Sequence, residues 1–273
     1  MKRVATIILN RNLPEVTNHL VEHIKHHDKF SDVFVVEAGS DQANLSKYST
    51  WYADWPEAIQ NGLRYSRGMN FGLSELWKSG DFRLYDAFFL LTNDTELEAT
   101  QTIKPLLDVL EAHPSVGILS PCSRRWGEKS LLKDQLTKYF WFIHNNAYML
   151  RREFIEDVLD PEQSNAQGFL FDGSNFRGYG AESEIIAKAY ANDWAAAITA
   201  SVWAGENESY LIEKSDLIKT EAYDENVKLY VEEGLSWMRR KYGFNSHWSM
   251  QQYVKSFYDK FFEFHPEYSH YKI

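Results

Sequence analysis

The chain has 273 residues, of which 44% are hydrophobic and 25% are charged, and its formal net charge is −10. This length and balance predict a globular protein with one large α/β domain, or with a domain that carries an extension. The negative charge and the lack of a basic stripe argue against binding to a nucleic-acid backbone as the main role.

Cysteine content and apolar segments bear on the location of the protein. The chain has one cysteine, Cys122, which excludes an intramolecular disulfide and fits a reducing compartment. The apolar run at residues 4–9 is too short for a signal sequence or a membrane span, and no later run is long enough. We therefore expect a soluble cytoplasmic protein, or one attached peripherally at the inner face of a membrane.

The first forty residues predict a strand, a helix and a second strand. The apolar run at residues 4–9 is typical of a buried strand. Pro14 suits the first turn of a helix, in which apolar residues keep helical spacing through residue 29. The second strand follows at residues 32–36. This order indicates a βαβ unit, whereas the aromatic-rich residues 42–66 predict an inserted loop with short helical pieces.

The rest of the chain continues to alternate helices and strands. We predict helices at residues 68–77, 101–112, 153–159 and 181–192, and strands at residues 87–91, 116–119, 140–150 and 196–202. A glycine-rich loop at residues 171–180 precedes the last of these helices. From Tyr223 onward the chain is predicted to be helical. The pattern predicts a mostly parallel central sheet flanked by helices, with a helical C-terminal extension.

The strand predicted at residues 87–91 is followed by a polar turn that contains Asp94. A run that is apolar on both faces predicts a central strand, and open α/β sheets bind ligands at the carboxyl ends of their strands. A carboxylate at that place can hold a divalent cation, and the cation can hold a diphosphate. The alternative is an ordinary turn, since Asn93 and Asp94 are common turn residues.

Four segments that carry polar or glycine residues follow each other in a defined order. They are Asn10-Arg11, Val35-Val36-Glu37-Ala38-Gly39-Ser40-Asp41, Arg67-Gly68-Met69-Asn70-Phe71-Gly72 and Leu90-Leu91-Thr92-Asn93-Asp94-Thr95-Glu96-Leu97. In order and spacing they resemble the inverting nucleotide-sugar glycosyltransferases of the GT-A fold, in particular glycosyltransferase family 2 and its rhamnosyltransferase-like members. The resemblance covers about residues 4–205, and Lys241-Tyr242-Gly243 resembles a triplet near the C-terminus of that family.

The resemblance implies a GT-A type domain over residues 1–210. Residues 1–120 would bind the nucleotide and residues 121–210 the acceptor, while residues 211–273 would pack on the same domain as an aromatic-rich helical extension. The implied reaction moves a sugar from a UDP- or dTDP-sugar to a hydroxyl of a polysaccharide, glycan or glycolipid, with Mn²⁺ or Mg²⁺ as cofactor. An aromatic content of 15% also suits sugar binding, because sugar C–H faces pack on aromatic rings.

The same resemblance implies a set of nucleotide-binding residues. Glu37, where the family usually has aspartate, would accept hydrogen bonds from a pyrimidine N–H or from ribose hydroxyls. Arg67 would neutralise a donor phosphate, and Asn70 would meet the nucleotide or the sugar. Asn10 and Asn93 belong to the first and fourth segments and complete this set. The alternatives are a solvated turn acid for Glu37 and a surface charge for Arg67.

Asp94 matches the last acid of the Asp-x-Asp metal motif of the family, whose first position is Thr92 in this chain. One carboxylate in place of two lowers the affinity for a cation, so donor phosphate oxygens and water would supply most of the other ligands. Glu96, His144 and His247 are further candidate ligands.

Glu182 matches the aspartate that the resemblance identifies as the general base. Inversion at the anomeric carbon requires a carboxylate that takes the proton of the acceptor hydroxyl while the diphosphate leaves from the opposite face. Glu184 is the alternative base. An acid in the first turn of a helix also stabilises that helix without any catalysis, which explains Glu184 more readily than Glu182.

Two other functions are open. A sugar nucleotidyltransferase uses a similar sheet, but it needs a glycine-rich basic loop after the first strand, and residues 10–14 contain no glycine. A non-catalytic relic of a transferase that binds nucleotide sugars or glycans is favoured by the missing acid at Thr92.

Overall fold

The structure is a computed structural model that describes residues 3–98, 101–124, 127, 129–132, 135–143 and 147–273. Its strands are β1 Val4–Asn10, β2 Ser31–Glu37, β3 Ser49–Tyr52, β4 Ala87–Thr92, β5 Thr95–Leu97, β6 Val116–Cys122, β7 Thr137–Tyr139, β8 Tyr148–Arg151 and β9 Ala195–Glu206. Its α-helices are α1 Pro14–His27, α2 Pro56–Asn61, α3 Arg64–Ser79, α4 Ile103–Ala112, α5 Lys129–Leu132, α6 Arg152–Val158, α7 Ala181–Ala191, α8 Glu208–Glu213, α9 Tyr223–Tyr242 and α10 His247–Phe264. Short 3₁₀ turns lie at Gln42–Asn44, Asp81–Leu84, Pro161–Gln163 and Pro266–Tyr271.

The strands form one sheet in the order β3-β2-β1-β4-β8-β6-β9-β5, and β7 also pairs with β9. Strands β1, β2, β3 and β4 are mutually parallel, and β6 is parallel to β9. Strand β8 runs antiparallel between β4 and β6, while β5 and β7 run antiparallel to β9. The predicted α/β architecture with a mostly parallel sheet flanked by helices is confirmed.

Burial of apolar residues on both faces explains the central strands. Every residue of β1 is buried, as are Ala87 to Leu91 of β4. Helix α3 lies close to β1 and β2 because Gly72 leaves room there, since a Cβ on this residue would come within 2.9 Å of Ile7 and 3.0 Å of Val36. Because β1 is parallel to both β2 and β4, the carboxyl ends of these three strands lie at one edge of the sheet.

Two predictions of local structure are wrong. Residues 42–66 do not form a loop with helical pieces alone, because they also contain β3, which pairs with β2 at the edge of the sheet. This strand is short and half exposed, so it lacks the apolar pattern that marks buried strands. The strand predicted at residues 140–150 is wrong over most of its length, because β7 ends at Tyr139 and β8 begins only at Tyr148. The apolar residues between them, such as Ile143, are buried outside any strand.

The C-terminal part is helical, as predicted, and it packs on the sheet domain. Helix α10 lies against α7, where Gln251 Nε2 donates a hydrogen bond to Ser183 Oγ at 2.9 Å. Helix α9 contributes the buried side chains of Trp237 and Met238. None of the helices in the described ranges combines the length and the apolar character that a membrane crossing needs. The proposed division into nucleotide and acceptor halves stays a prediction.

Candidate functional site

The carboxyl ends of β1 and β4 bring three predicted site residues together. The two strands are in register, with Leu9 beside Thr92, so Asn10 and Asn93 leave the sheet side by side. The Asn93 side-chain amide donates to Asn10 Oδ1 at 3.4 Å and to Thr17 Oγ1 at 3.2 Å. Asp94 follows directly. This proximity is what neighbouring parallel strands predict for residues at their ends.

Asp94 lines two cavities and is 7% exposed. The first, here called the Asp94 cavity, has a volume of about 310 Å³ and is also lined by Asn10, Arg64 and Tyr65. The second, here called the α1 cavity, has a volume of about 420 Å³ and lies against the residues of α1, with Glu96 on its wall.

The donor set at Asp94 suits a divalent cation only in part. Burial raises the pKa of the Asp94 carboxyl, a hydrogen bond from Thr92 lowers it, and the charges of Glu208 and Glu96 raise it again. Within the described residues, no three His, Cys, Asp or Glu side chains converge on a possible metal site. A single hard carboxylate oxygen fits Mn²⁺ or Mg²⁺ when a bound molecule supplies the remaining oxygens.

The other candidate metal ligands lie at different distances from Asp94. Glu96 shares the α1 cavity with Asp94, and one of its oxygens accepts a hydrogen bond from Asn207 at 3.0 Å. His247 begins α10 and stacks near Tyr179 with ring centroids 5.1 Å apart, away from both cavities at Asp94. His144 lies outside the described residues.

Two arginines line the Asp94 cavity, and sequence reasoning gave neither of them a role. Arg64, the first residue of α3, has a φ of 54°, and its guanidinium donates to Thr220 Oγ1 at 2.8 Å. Arg11 donates to the backbone carbonyls of six residues, namely Ala38, Gly39, Ala58, Ile59, Gln60 and Ile218. Burial lowers the pKa of both arginines. Arg11 therefore ties loops together, while Arg64 brings positive charge to the cavity.

Residues 208–221, here called the covering segment, close one side of the Asp94 cavity. Ile218 O accepts a hydrogen bond from Arg11 Nε at 2.8 Å, and Leu217 O accepts one from Asn12 Nδ2 at 2.7 Å. Glu221 pairs with Arg64 at 3.3 Å. The covering segment is thus held by residues that follow β1 and begin α3, although it lies some two hundred residues beyond β1 in the sequence.

Glu37 does not face either cavity. It is fully buried, and its two oxygens accept hydrogen bonds from Asn10 at 2.8 Å, from the Ser46 backbone at 2.8 Å and from Ser49 Oγ at 2.5 Å. These bonds bind the end of β2 to the loop before β3. The alternative of a solvated turn acid is wrong, because the carboxylate is fully buried, and the contact with a nucleotide stays a prediction.

Arg67 and Asn70 are also committed to protein contacts. The Arg67 guanidinium donates to Gly173 O at 2.8 Å and to Glu57 at 2.7 Å. Asn70 is fully buried, accepts hydrogen bonds from the backbone of Leu170 and Phe171, and donates to Phe171 O at 2.7 Å. Both side chains attach α3 to the segment that contains the glycine-rich loop, and their contacts with a donor stay predictions.

Glu182 lies in a separate small cavity, here called the Glu182 cavity, with a volume of about 140 Å³. It follows Gly180, whose φ of 80° and close approach to Met238 admit no side chain without strain. Burial raises the pKa of Glu182 to about 7, against a hydrogen bond from its own backbone amide. Across the described residues, no hydrogen bond or ion pair joins its carboxylate to another side chain. The group can therefore accept a proton near neutral pH.

Glu184, two residues later, has different surroundings. It is 3% exposed, and its Oε1 accepts hydrogen bonds from Tyr242 Oη and Lys241 Nζ, both at 2.6 Å. Lys241 also pairs with Asp172 at 2.6 Å. The Lys-aromatic-Gly triplet noted in the sequence thus supplies the partners of Glu184, which ties α9 to α7.

Tyr65 belongs to the walls of both the Asp94 cavity and the Glu182 cavity. The Tyr65 pKa is raised by burial first and then by the charges of Glu206 and Glu182. The two cavities are therefore neighbours, with one tyrosine between them. Sequence reasoning gave Tyr65 no role, although Arg64-Tyr65 stands only a few residues before the segment that begins at Arg67.

Solved structures resemble this chain, whereas no protein-family model and no curated protein sequence matches it. The mannosyltransferase PcManGT from Pyrobaculum calidifontis, in complex with GDP-Man and Mn²⁺, is 13% identical, with a TM-score of 0.52 over 94% of this chain and 86% of its own. GalNAc-T7 with UDP, GalNAc and Mn²⁺ is 11% identical, with a TM-score of 0.55 over 98% of this chain. The match covers 58% of the GalNAc-T7 chain.

A third structure is similar over slightly less of the chain. Glucosyl-3-phosphoglycerate synthase from Mycobacterium tuberculosis, in complex with Mn²⁺, UDP-glucose and phosphoglyceric acid, is 12% identical, with a TM-score of 0.51 over 88% of this chain and 79% of its own. At these identities the likeness concerns the fold, and membership of the rhamnosyltransferase-like subfamily stays a prediction. The chain has the GT-A fold that these nucleotide-sugar glycosyltransferases share.

Proposed function

We propose that this protein is an inverting glycosyltransferase, which moves a sugar from a nucleoside diphosphate donor to a hydroxyl group of a glycan, polysaccharide or glycolipid. The observation that carries the proposal is the pair of neighbouring cavities on the two sides of Tyr65. One contains Asp94 and Arg64, and the other contains the carboxylate of Glu182. Complexes of the structural neighbours with GDP-Man, UDP and UDP-glucose support this class of donor.

In this proposal the donor diphosphate lies in the Asp94 cavity. Asp94 would hold Mn²⁺ or Mg²⁺ together with the phosphate oxygens, and the cation would stabilise the charge of the leaving diphosphate. Arg64 adds a second positive charge from the first turn of α3, in the role that the sequence suggested for Arg67. Asn93 lines the same cavity and offers its amide to the donor, whereas Asn10, whose own amide donates to Glu37, positions Asn93.

Glu182 is the general base of the proposed reaction. Its carboxylate takes the proton of the acceptor hydroxyl as that oxygen bonds to the anomeric carbon, while the diphosphate leaves from the opposite face. Glu184 is not assigned this role, because it is buried and Lys241 and Tyr242 both bond to its Oε1. Glu37, Arg67 and Asn70 act as positioning residues for the loops around the site.

Release of nucleoside diphosphate tests the proposal. The protein is incubated with Mn²⁺ and, one at a time, UDP-, dTDP- and GDP-sugars, and the released diphosphate is measured without and with glycan acceptors. We expect slow release from at least one donor and faster release with an acceptor. Asp94→Ala should abolish both, whereas Glu263→Ala, at an exposed acid of α10, should leave both unchanged. Release at the normal rate by Asp94→Ala would contradict the role of this residue.

A second candidate function is a binding protein derived from a transferase. It is favoured by the single carboxylate at Asp94, because no group of three potential metal ligands forms within the described ranges. A protein of this kind would bind a nucleotide sugar in calorimetry, yet release no diphosphate with any donor or acceptor. The expected cytoplasmic or peripheral membrane location stays a prediction in either case.

A further inference from the structure

The Glu182 cavity is small, and aromatic side chains form much of its wall. Aromatic rings of Tyr65, Tyr148, Phe171 and Tyr230 surround it, and the ring centroids of Tyr65 and Phe171 lie 5.6 Å apart in an edge-to-face arrangement. Its volume of about 140 Å³ is well below the roughly 300 Å³ at which pockets for drug-sized ligands begin. Such a site fits one small group, such as the terminal ring of a longer molecule. Aromatic faces suit the C–H faces of a sugar ring.

Two consecutive residues of this wall carry buried hydroxyl groups without partners. Tyr65 Oη and Ser66 Oγ have almost no accessible surface and no hydrogen-bond partner in the described structure. A buried hydroxyl without a partner destabilises a protein by about 1–3 kcal/mol, and most buried polar groups avoid this state. Two such hydroxyls at the wall of one cavity indicate a ligand whose own hydroxyl groups complete them.

The charged side chains on the wall of the Glu182 cavity are one acid, Glu182, and one arginine that pairs with acids. The carboxylate of Glu182 lies inside it, and the pKa of Tyr230 is raised by burial and then by the charges of Glu182 and Glu206. The one arginine of the wall, Arg177, pairs with Glu221 at 2.6 Å and Glu233 at 3.2 Å. Arg177 Nε has no hydrogen-bond partner among the described residues, but two acids beside this arginine balance its charge. An anionic ligand would therefore meet the negative charge of Glu182 without an excess of positive charge.

We propose that the Glu182 cavity takes a neutral sugar residue with several hydroxyl groups, that Tyr65 and Ser66 recognise these hydroxyls, and that phosphorylated or carboxylated acceptors are excluded. This inference rests on the proposed function. In the transfer step, the acceptor oxygen forms a bond to the anomeric carbon of the donor sugar. The bond from that carbon to the diphosphate breaks, its electron pair leaves with the diphosphate, and the acceptor proton passes to Glu182.

The first part of the test compares acceptors. With the donor that the protein hydrolyses, neutral methyl glycosides are compared with the same sugars carrying a 6-phosphate or a 6-carboxylate. We expect kcat/KM for the charged acceptors to be at least about tenfold lower, because a site without compensating positive charge rejects them. Equal or better use of the charged acceptors would overturn the inference.

The second part separates recognition from a structural role. Tyr65→Phe and Ser66→Ala each remove one unpartnered hydroxyl, so Tm should stay the same or rise. KM for the neutral acceptor should rise about tenfold, since the sugar hydroxyl loses its partner. The matched control is Ser74→Ala, on the same helix, whose buried hydroxyl already donates to Phe71 O at 2.9 Å. Ser74→Ala should leave KM unchanged and lower Tm.

The outcomes distinguish this inference from the proposed function. If no donor is hydrolysed and none binds, the proposed function fails and the inference fails with it. If a donor is hydrolysed but no neutral glycoside accelerates release, the inference alone is wrong. An unchanged acceptor KM in both Tyr65→Phe and Ser66→Ala would show that these hydroxyls do not recognise the acceptor.

Discussion

Glu182 and Glu184 occupy the same first turn of α7, but they lie in different surroundings. Glu182 points into a small cavity, and burial raises its pKa to about 7. Glu184 is held by Lys241 and Tyr242 of α9, each at 2.6 Å. Two acids in the same first turn, near the same end of the helix dipole, thus differ in the side chains that contact their carboxylates.

This difference shows how one helix turn can serve both reactivity and stability. A carboxylate without a cation partner keeps its proton affinity high and can act as a base near neutral pH. A carboxylate oxygen that accepts hydrogen bonds from a lysine and a tyrosine has its lone pairs engaged and offers none to a substrate. The proposed assignment of one base and one structural acid rests on these partners, and three measurements can challenge it.

The largest expected effect is the loss of transfer in Glu182→Gln. Removing a general base should lower kcat roughly 10²- to 10⁴-fold, while the Kd for the donor stays the same because the donor lies in the neighbouring cavity. Transfer is followed with a labelled donor, and donor binding by calorimetry. Normal transfer in Glu182→Gln together with loss of transfer in Glu184→Gln would reverse the assignment of the two acids.

The pH dependence of stability gives the next largest effect. The pKa of Glu182 rises from 4.5 to about 7 on folding, so the folded protein binds more protons than the unfolded chain between these values. Stability is therefore lost as pH rises from 4.5 through 7, by up to about 3 kcal/mol. Glu182→Gln lacks this titration. Between pH 5 and pH 8, urea unfolding should show that the free energy of unfolding of the variant rises relative to that of the wild type. A difference that does not change with pH would contradict the raised pKa.

The smallest of the three effects is a loss of stability at Glu184. Glu184→Ala removes the acceptor of two hydrogen bonds and leaves Lys241 with Asp172 as its remaining partner. We expect a loss of about 2 kcal/mol in the free energy of unfolding, measured at pH 7. Tyr242→Phe, which removes one of the bonds, should lose about 1 kcal/mol. If Glu184→Ala were as stable as the wild type, the contacts of Glu184 between α7 and α9 would contribute nothing to the free energy of unfolding.

Sequence reasoning predicted the residues of the site best where they follow buried strands. Asn10, Asn93 and Asp94 come together because β1 and β4 are parallel neighbours, and the apolar runs before them predict such strands. It did not predict the protein contacts of Glu37 and Asn70. Both are polar residues near the ends of elements, but the structure surrounds them with backbone donors and acceptors of distant loops. Local spacing does not reveal which loop will cover a polar residue.

The amino-acid pattern by itself determined the alternation of strands and helices, the central sheet and the carboxylate at the end of β4. These features depend on local periodicity and on burial of continuous apolar runs. The tertiary structure alone decided that Arg64 and not Arg67 lines the Asp94 cavity, and that Tyr65 lies between two cavities. It also decided that Glu184 bonds to Lys241 and Tyr242, whereas no side chain of the described residues bonds to Glu182. Each of these depends on contacts with the covering segment, the glycine-rich loop or α9. Such contacts join residues far apart in sequence, which no local pattern encodes.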